Sequence, residues 1–491
     1  MITDYSKYKT TRAEPEASSM IETFRAIGYN TETAVADIVD NSISAGAKNI
    51  RITFEWKGEK TWIAIKDDGV GMNHDELVNA LRPGSRNPLD ERHSKDLGRF
   101  GLGLKTASFS QARKLTVISK KENFSTVSWT WDLDYVNQTG SWNLIDWRPS
   151  GFNMDVLDKD TSGTIVIWNN LDRIVRNSKE EDTVSEGKFY QIMESVKKHL
   201  SMVFHRFIKS RKIKIFLQER EIPAWDPFLT DESATQWFPD QPLHNDEVLI
   251  RGFVLPHKSK ITEEDYKTAG GTKGWNEHQG FYIYRNERLL LAGDWLGFFK
   301  KEEHYKLARI QIDLPNTLDE EWQIDIKKSV ARPPLIYREK IKQYALKLRN
   351  QAVEVYRQKG RTIQRLAGQK FIPLWEECKR NEKWYYKINR DHPIIVSAKV
   401  EANHNPDKAL EKILRLIEET LPTKSIFIKE SEEPEMQRKP FAGSDNELIR
   451  NMMHQMFLNL IQNGSDEQNA KGIIANTEPF NLFTEYLEFI N

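Results

Sequence analysis

Apolar residues recur at helical spacing from Thr31, with Val35, Ile38, Val39 and Ile43 on one face and Gly46 placed to stop the turn, so residues 31–45 are expected to be helical. The period then changes to two. Ile50, Ile52, Phe54 and Trp56 alternate with polar neighbours and the apolar run 62–65 follows, which together read as paired strands. Further strand-like runs lie at 115–119, 127–135 and 164–168. Residues 82–96 carry Pro83 and Pro88 and little that can be buried, the pattern of a mobile surface loop. Helices and strands mixed in this order predict an α/β sandwich, one helical layer on a largely antiparallel sheet.

The same reading divides the rest of the chain. A helical pattern at 188–207 and strand-like runs at 212–217 and 280–285 fit a second α/β domain ending near Pro334. Residues 336–361 read as one long charged helix, a strut. The expected segments are therefore 1–178, 179–335, 336–368 and a mixed, mainly helical region 369–491. That last region holds helical stretches near 405–420 and 445–463, and an acidic linker at 429–440. Trp375, Trp384, Tyr385 and Tyr386 are expected in its core rather than as a base-stacking platform, and His392 and His404 have no metal-spaced partners.

Composition narrows the function classes. The chain has 491 residues with 72 Lys+Arg against 72 Asp+Glu, so no global basic field points to nucleic acid and any such surface is local. One cysteine, Cys378, excludes an internal disulfide and a cysteine-based zinc site, and suits a reducing, cytoplasmic compartment. No run approaches the roughly eighteen apolar residues of a membrane span, and charges interrupt the first thirty residues, so neither a membrane segment nor a standard export signal is expected.

Three segments carry candidate chemistry. Within the first predicted helix, Asp37 and Asn41 lie one turn apart on one face; an amide oxygen suits Mg²⁺, and a nearby carboxylate can orient or deprotonate water. Asp67-Asp68-Gly69-Val70-Gly71-Met72 follows a strand, where a carboxylate can accept from an exocyclic amine and glycines let backbone approach a planar ligand. Gly98-Arg99-Phe100-Gly101-Leu102-Gly103-Leu104-Lys105 closes the polar loop and opens a helix, an arrangement whose backbone N–H groups can converge on phosphate. It is neither a Rossmann fingerprint nor a P-loop.

In this order, with SGTIVIW at 162–168 after them, the motifs resemble those of the GHKL (Bergerat-fold) ATPases, the group of gyrase B, Hsp90, histidine kinases and MutL. DNSISAGAKNIRI is similar to MutL and GRFGLGLKTAS to MORC proteins, and the resemblance covers about residues 20–175. It implies an ATPase domain using ATP and Mg²⁺, with Asn41 on the metal, Asp67 on the adenine amine and Gly71 under the base beside Met72. Thr164 would support adenine through water. Gly98, Arg99, Phe100, Gly101, Leu102, Gly103 and Leu104 would wrap the phosphates, Lys105 would add charge, and 82–96 would be the lid. The family's usual base is Glu where this chain has Asp37, shorter by about 1.5 Å. A misplacement near 1 Å costs about a hundredfold in rate, so slow turnover is expected.

GFYIYRNERLLLAGDW at 280–295 resembles the strand and turn of the transducer (ribosomal S5-like) domain that follows such ATPases. WQIDIKKSVARPP at 322–334 sits where they offer a lysine to the γ-phosphate, which makes Lys327 or Lys328 the candidate; Lys327 continues the polar parity of Gln323 and Asp325. The implied function is an ATP-gated homodimeric clamp acting in DNA transactions, in bacterial anti-phage defence or restriction, alongside nucleases or other defence proteins. The competing reading is a nucleotide-sensing scaffold with little turnover. A histidine kinase fits less well, since the first histidine is His74.

Overall fold

The computed structural model describes residues 8–9, 11, 13–84, 103–149, 157, 160–175, 178–243, 248–324, 331–362, 372–380, 383–396, 406–423, 441 and 446–490. They form two compact units, Met1–Tyr356 and Arg357–Asn491.

Helix α1 (Ala17–Arg25) leads into α2 (Thr31–Ser44), which starts because the Asn30 side chain accepts from the Thr33 N–H at 2.9 Å. Strands β1 (Asn49–Glu55) and β2 (Trp62–Asp67) pair antiparallel, as the alternation predicts, and α3 (His74–Leu81) follows behind an Asn73–Glu76 capping box. Next come α4 (Gly103–Gln111), β3 (Lys114–Lys120) and β4 (Val127–Asp132). The strand expected to run on to Tyr135 ends at Asp132 instead. There the carboxylate accepts from the N–H groups of Asp134 and Tyr135 and starts helix α5 (Leu133–Thr139), a local capping bond that outweighs the apolar alternation. After β5 (Gly163–Asn169) the 21-residue helix α6 (Thr183–Val203), the short α7 (His205–Lys209) and the strands β6 (Lys214–Leu217) and β7 (Arg220–Glu221) complete the layer.

The resulting seven-stranded sheet has the order β4-β3-β5-β2-β1-β6-β7, antiparallel except where β6 runs parallel beside β1. Residues 183–221, expected in the second domain, thus build the first: α6 packs on α2, and β6 extends the sheet past β1. The expected boundary at 178 falls inside this layer. Alternation sorts the strands' side chains. Ile63, Ile65, Val117, Val166 and Trp168 face the helices, while Ala64, Ile118, Ile165 and Ile167 gather with Leu157 on the other side. Val35, Ile38 and Val39 of α2 are fully buried in the main core, each contributing about 1.5–3 kcal/mol.

A second, five-stranded sheet in the same unit is built from β8 (Gln236–Pro242), β9 (Leu249–Val254), β10 (Gly280–Arg285), β11 (Arg288–Asp294) and β12 (Ala308–Leu314), in the order β11-β10-β12-β9-β8. Helix α8 (Glu263–Ala269) lies in the β9–β10 connection. Strand β10 is buried along its whole length and pairs parallel with β12, in keeping with its uninterrupted Phe281-Tyr282-Ile283-Tyr284 run. The long helix appears as α9 (Leu335–Thr362), and its Ile341, Tyr344, Ala345 and Leu348 join this sheet's core.

In the second unit β13 (Trp375–Arg380) and β14 (Lys383–Ile388) form a hairpin, followed by helices α10 (Pro406–Glu419), α11 (Asn446–Gln462) and α12 (Glu467–Ala475). Tyr385 and Tyr386 are exposed on β14 rather than in the core. His392 is buried, its Nε2 2.7 Å from the Glu478 carbonyl.

Candidate functional site

The D-x-G-x-G loop is stitched between three elements. Asp67, the last residue of β2, lies opposite Thr164 of β5; its carboxylate accepts from Gly69 N–H at 2.9 Å and from the Ser42 hydroxyl of α2 at 2.8 Å. Burial raises the Asp67 pKa above the usual aspartate value, against the pull of those two bonds. Asp68 points the other way and accepts from the backbone N–H groups of Lys48 and Asn49 and from the Asn49 amide. Its partial burial acts upward, but these donors prevail and hold its carboxyl below the ordinary range.

Two glycines in the loop are dictated by close approach. A Cβ on Gly69 would meet Ala45 at 2.9 Å, and one on Gly71, at φ +63°, would sit 1.8 Å from the Lys120 carbonyl oxygen. Val70 N–H donates to the Ala45 carbonyl at 3.0 Å, which ties the loop to the end of α2. Met72 N–H donates to Ser119 Oγ at 2.9 Å, and Ser119 Oγ is 2.9 Å from Thr164 Oγ1. Asp67, Gly71, Met72 and Thr164 therefore share one end of the sheet.

Helix α2 carries the second half of the site. Asn41 is exposed, next in the chain to the Ser42 that holds Asp67. One turn earlier Asp37 is buried, its Oδ2 accepting from the Tyr29 hydroxyl at 2.8 Å, and burial followed by the Asp37 charge pushes the Tyr29 pKa far up. The start of α4 stands over this carboxylate, since a Cβ on Gly103 would lie 3.7 Å from Asp37 Oδ2. Leu104 is half-buried, and Lys105 is buried with its Nζ donating to the Ala80 carbonyl at 2.9 Å. Gly98, Arg99, Phe100, Gly101 and Leu102, most of the lid segment, and both Lys327 and Lys328 lie outside the described residues.

Sequence reasoning missed several residues that complete this arrangement. Tyr29, Ser42 and Ser119 are short-range supports of Asp37, Asp67 and Met72. Asp40 is buried, and its two oxygens accept from Arg288 Nε at 2.9 and 2.8 Å, a side chain delivered by β11 of the other sheet. Arg288 Nη2 also lies 3.7 Å from Asp37 Oδ1. Burial, and next the Arg288 charge, lower His199 of α6 to about 4. The available signal was Asp40 itself, an acid among Ile38, Val39 and Ile43 on a core helix, which requires a buried partner.

The chemistry of these groups fits a nucleotide with Mg²⁺. Asp67 is a carboxylate fixed in direction by Ser42 and Gly69, and the Gly71 backbone is packed directly against the Lys120 carbonyl beside it. Among the described residues no group of three or more His, Cys, Asp or Glu is arranged to hold a metal; Mg²⁺ suits a site of few protein ligands shared with phosphates, and the exposed Asn41 amide is of the chemical type that such a site would use. Among the described residues no helix is long and apolar enough to cross a membrane.

Residues 29–164 match the sequence model of the family described as histidine kinase-, DNA gyrase B-, and HSP90-like ATPase. The chain is 32% identical over 94 residues to ATPase morc-1 of Caenorhabditis elegans, covering 19% of this chain and 11% of that protein. It is 33% identical over 93 residues to the DNA mismatch repair protein MutL of Rickettsia akari, covering 19% of this chain and 15% of MutL. It is also 28% identical over 180 residues to the chaperone protein HtpG of Rickettsia rickettsii, covering 34% of this chain and 25% of HtpG. The chain thus spans a quarter or less of the length of these relatives. Motif order, sheet and family match agree, and this chain carries a GHKL-type ATPase domain, similar within that family to those of MORC and MutL proteins.

Proposed function

We propose that the chain binds ATP with Mg²⁺ and hydrolyses it slowly, as an ATP-gated dimeric clamp acting on DNA. The observation that carries this reading is that a single helix, α2, presents Asp37 and Asn41 while its Ser42 pins the Asp67 carboxylate 2.8 Å away. Asp67 accepts from the adenine amine, Asn41 ligates the metal, and Asp37 takes the proton of the attacking water. Bound Mg²⁺ supplies charge neutralisation on the phosphates. Thr164 and Ser119, hydrogen-bonded to one another, hold the polar floor of the base site. Lys327 or Lys328 reaching the γ-phosphate, and anti-phage defence beside nuclease partners, belong to the same proposal and draw on the likeness to MORC and MutL proteins. The test is ATP turnover by the full chain with and without duplex DNA: Mg²⁺-dependent hydrolysis abolished by Asp37→Asn supports the reading, and no nucleotide binding overturns it.

One observation favours the scaffold reading. Asp37 has the Tyr29 hydroxyl on Oδ2 and the Arg288 guanidinium 3.7 Å from Oδ1, so both oxygens face protein groups that compete with an attacking water. Tight ATP binding with no turnover, with or without DNA, decides for a nucleotide-sensing scaffold.

A further inference from the structure

Arg288 enters the ATPase layer from outside it. It is the first residue of β11, reached through a two-residue turn in which Asn286 and Glu287 both have positive φ, 47° and 69°, so the hairpin fixes the point from which the side chain departs. Its guanidinium crosses to α2, with Nε on both oxygens of Asp40 at 2.9 and 2.8 Å and Nη2 3.7 Å from Asp37 Oδ1. Asp37, Asp40 and Arg288 are 4%, 1% and 4% exposed. The two acids stand three residues apart on one helical face, and a cation between them offsets their repulsion where solvent screening is weak.

We propose that Arg288 is a positioning residue, through which the second sheet sets the orientation of the Asp37 carboxylate for ATP hydrolysis; the inference rests on the ATPase reading above. Tyr29 holds Oδ2 and Arg288 faces Oδ1, so the carboxylate is bracketed by one group from its own domain and one from the neighbouring sheet. Alignment of the base then depends on how the β10–β11 hairpin docks against α2. Whatever shifts that hairpin changes turnover without touching the nucleotide, which gives the second domain control over the chemistry separate from any lysine it brings to the γ-phosphate.

A merely structural role for the ion pair makes a different prediction, and a double substitution separates the two. Arg288→Gln alone leaves Asp40 buried without its cation and is expected to destabilise the fold, so it is combined with Asp40→Asn, which removes the stranded charge. In the full chain, Asp40→Asn/Arg288→Gln should melt near the parent and bind a non-hydrolysable ATP analogue within about threefold of it, while kcat falls roughly ten- to a hundredfold with little change in KM. Arg288→Lys, which keeps the charge without the planar fork, should recover part of that loss. If the double variant turns over ATP like the parent, Arg288 is only a structural tie and the proposal fails while the ATPase reading stands. A parent that binds ATP without hydrolysing it overturns both. Should the double variant not fold, Arg288→Lys decides alone: reduced kcat at parental affinity supports positioning, and parental kcat overturns it.

Discussion

Replacing Gly71 by alanine isolates the tightest packing constraint in the proposed nucleotide site, and Gly46→Ala serves as its control. Both glycines have left-handed backbone, φ +63° and +74°, so a Cβ at either position carries the same conformational cost of about 1–2 kcal/mol. Only Gly71 adds a collision. Its Cβ would lie 1.8 Å from the Lys120 carbonyl oxygen and 3.1 Å from that of Gly163, whereas nothing comes within 4 Å of a Cβ on Gly46. The obstacles are strand backbone and cannot rotate aside, so overpacking costs about 1–3 kcal/mol more. Hydrogen exchange read on peptides covering 114–120 and 163–169 reports this difference as local opening, roughly five- to a hundredfold faster in Gly71→Ala than in Gly46→Ala. Nucleotide affinity should fall in the first variant only. Equal exchange in the two variants would refute the claim that the β3 and β5 backbones fix the loop.

Asn41→Ala should abolish Mg²⁺-dependent nucleotide binding in calorimetry, because it deletes the one assigned protein ligand of the metal. Asp37→Asn should keep ATP affinity and lose hydrolysis in a phosphate-release assay, since an amide positions water without accepting its proton. ATP affinity should decline on acidification at a higher pH than an ordinary aspartate would give: the Asp67 pKa is raised, chiefly by burial, so this carboxylate takes up its proton earlier as pH falls and ceases to be acceptor-only. Fluorescence titrations at stepped pH check this, and Asp67→Asn should flatten the profile. A non-hydrolysable ATP analogue should raise the sedimenting mass toward a dimer; unchanged mass with confirmed binding removes the clamp from the proposal.

The parts legible in the sequence were those set by local periodicity. Val35, Ile38, Val39 and Ile43 announced α2, the alternation from Ile50 to Trp56 announced β1, and the order of the acid and glycine motifs announced the ATPase domain. What escaped depends on partners far along the chain. Lys214–Leu217 reads as a strand, but four residues say nothing about which sheet receives them, and the structure pairs them with β1. Leu133-Asp134-Tyr135 extends an apolar alternation and still turns helical because Asp132 caps it. Asp40 on a core helix signals a buried partner, but nothing local identifies Arg288, 248 residues further along, as that partner. Lys105 donates to the Ala80 carbonyl, a tie that motif spacing does not announce.

The late arrival of β6 also has a meaning for biosynthesis. Ile50 of β1 pairs with Ile215, so during translation the flank of β1 away from β2 waits for the whole stretch between them to leave the ribosome. At about 5–20 residues per second that interval is on the order of 10 s, long on the scale of hairpin formation at about 1–10 μs. Through it the nascent chain displays the open edge of an otherwise formed β1–β2 pair, a template for unwanted strand addition. Arg51, outward-facing on β1 and later paired with Glu219, places a charge on that edge during the wait. A fragment stopped at residue 178 would make the exposure permanent, and such a polypeptide should be recovered mainly as aggregate.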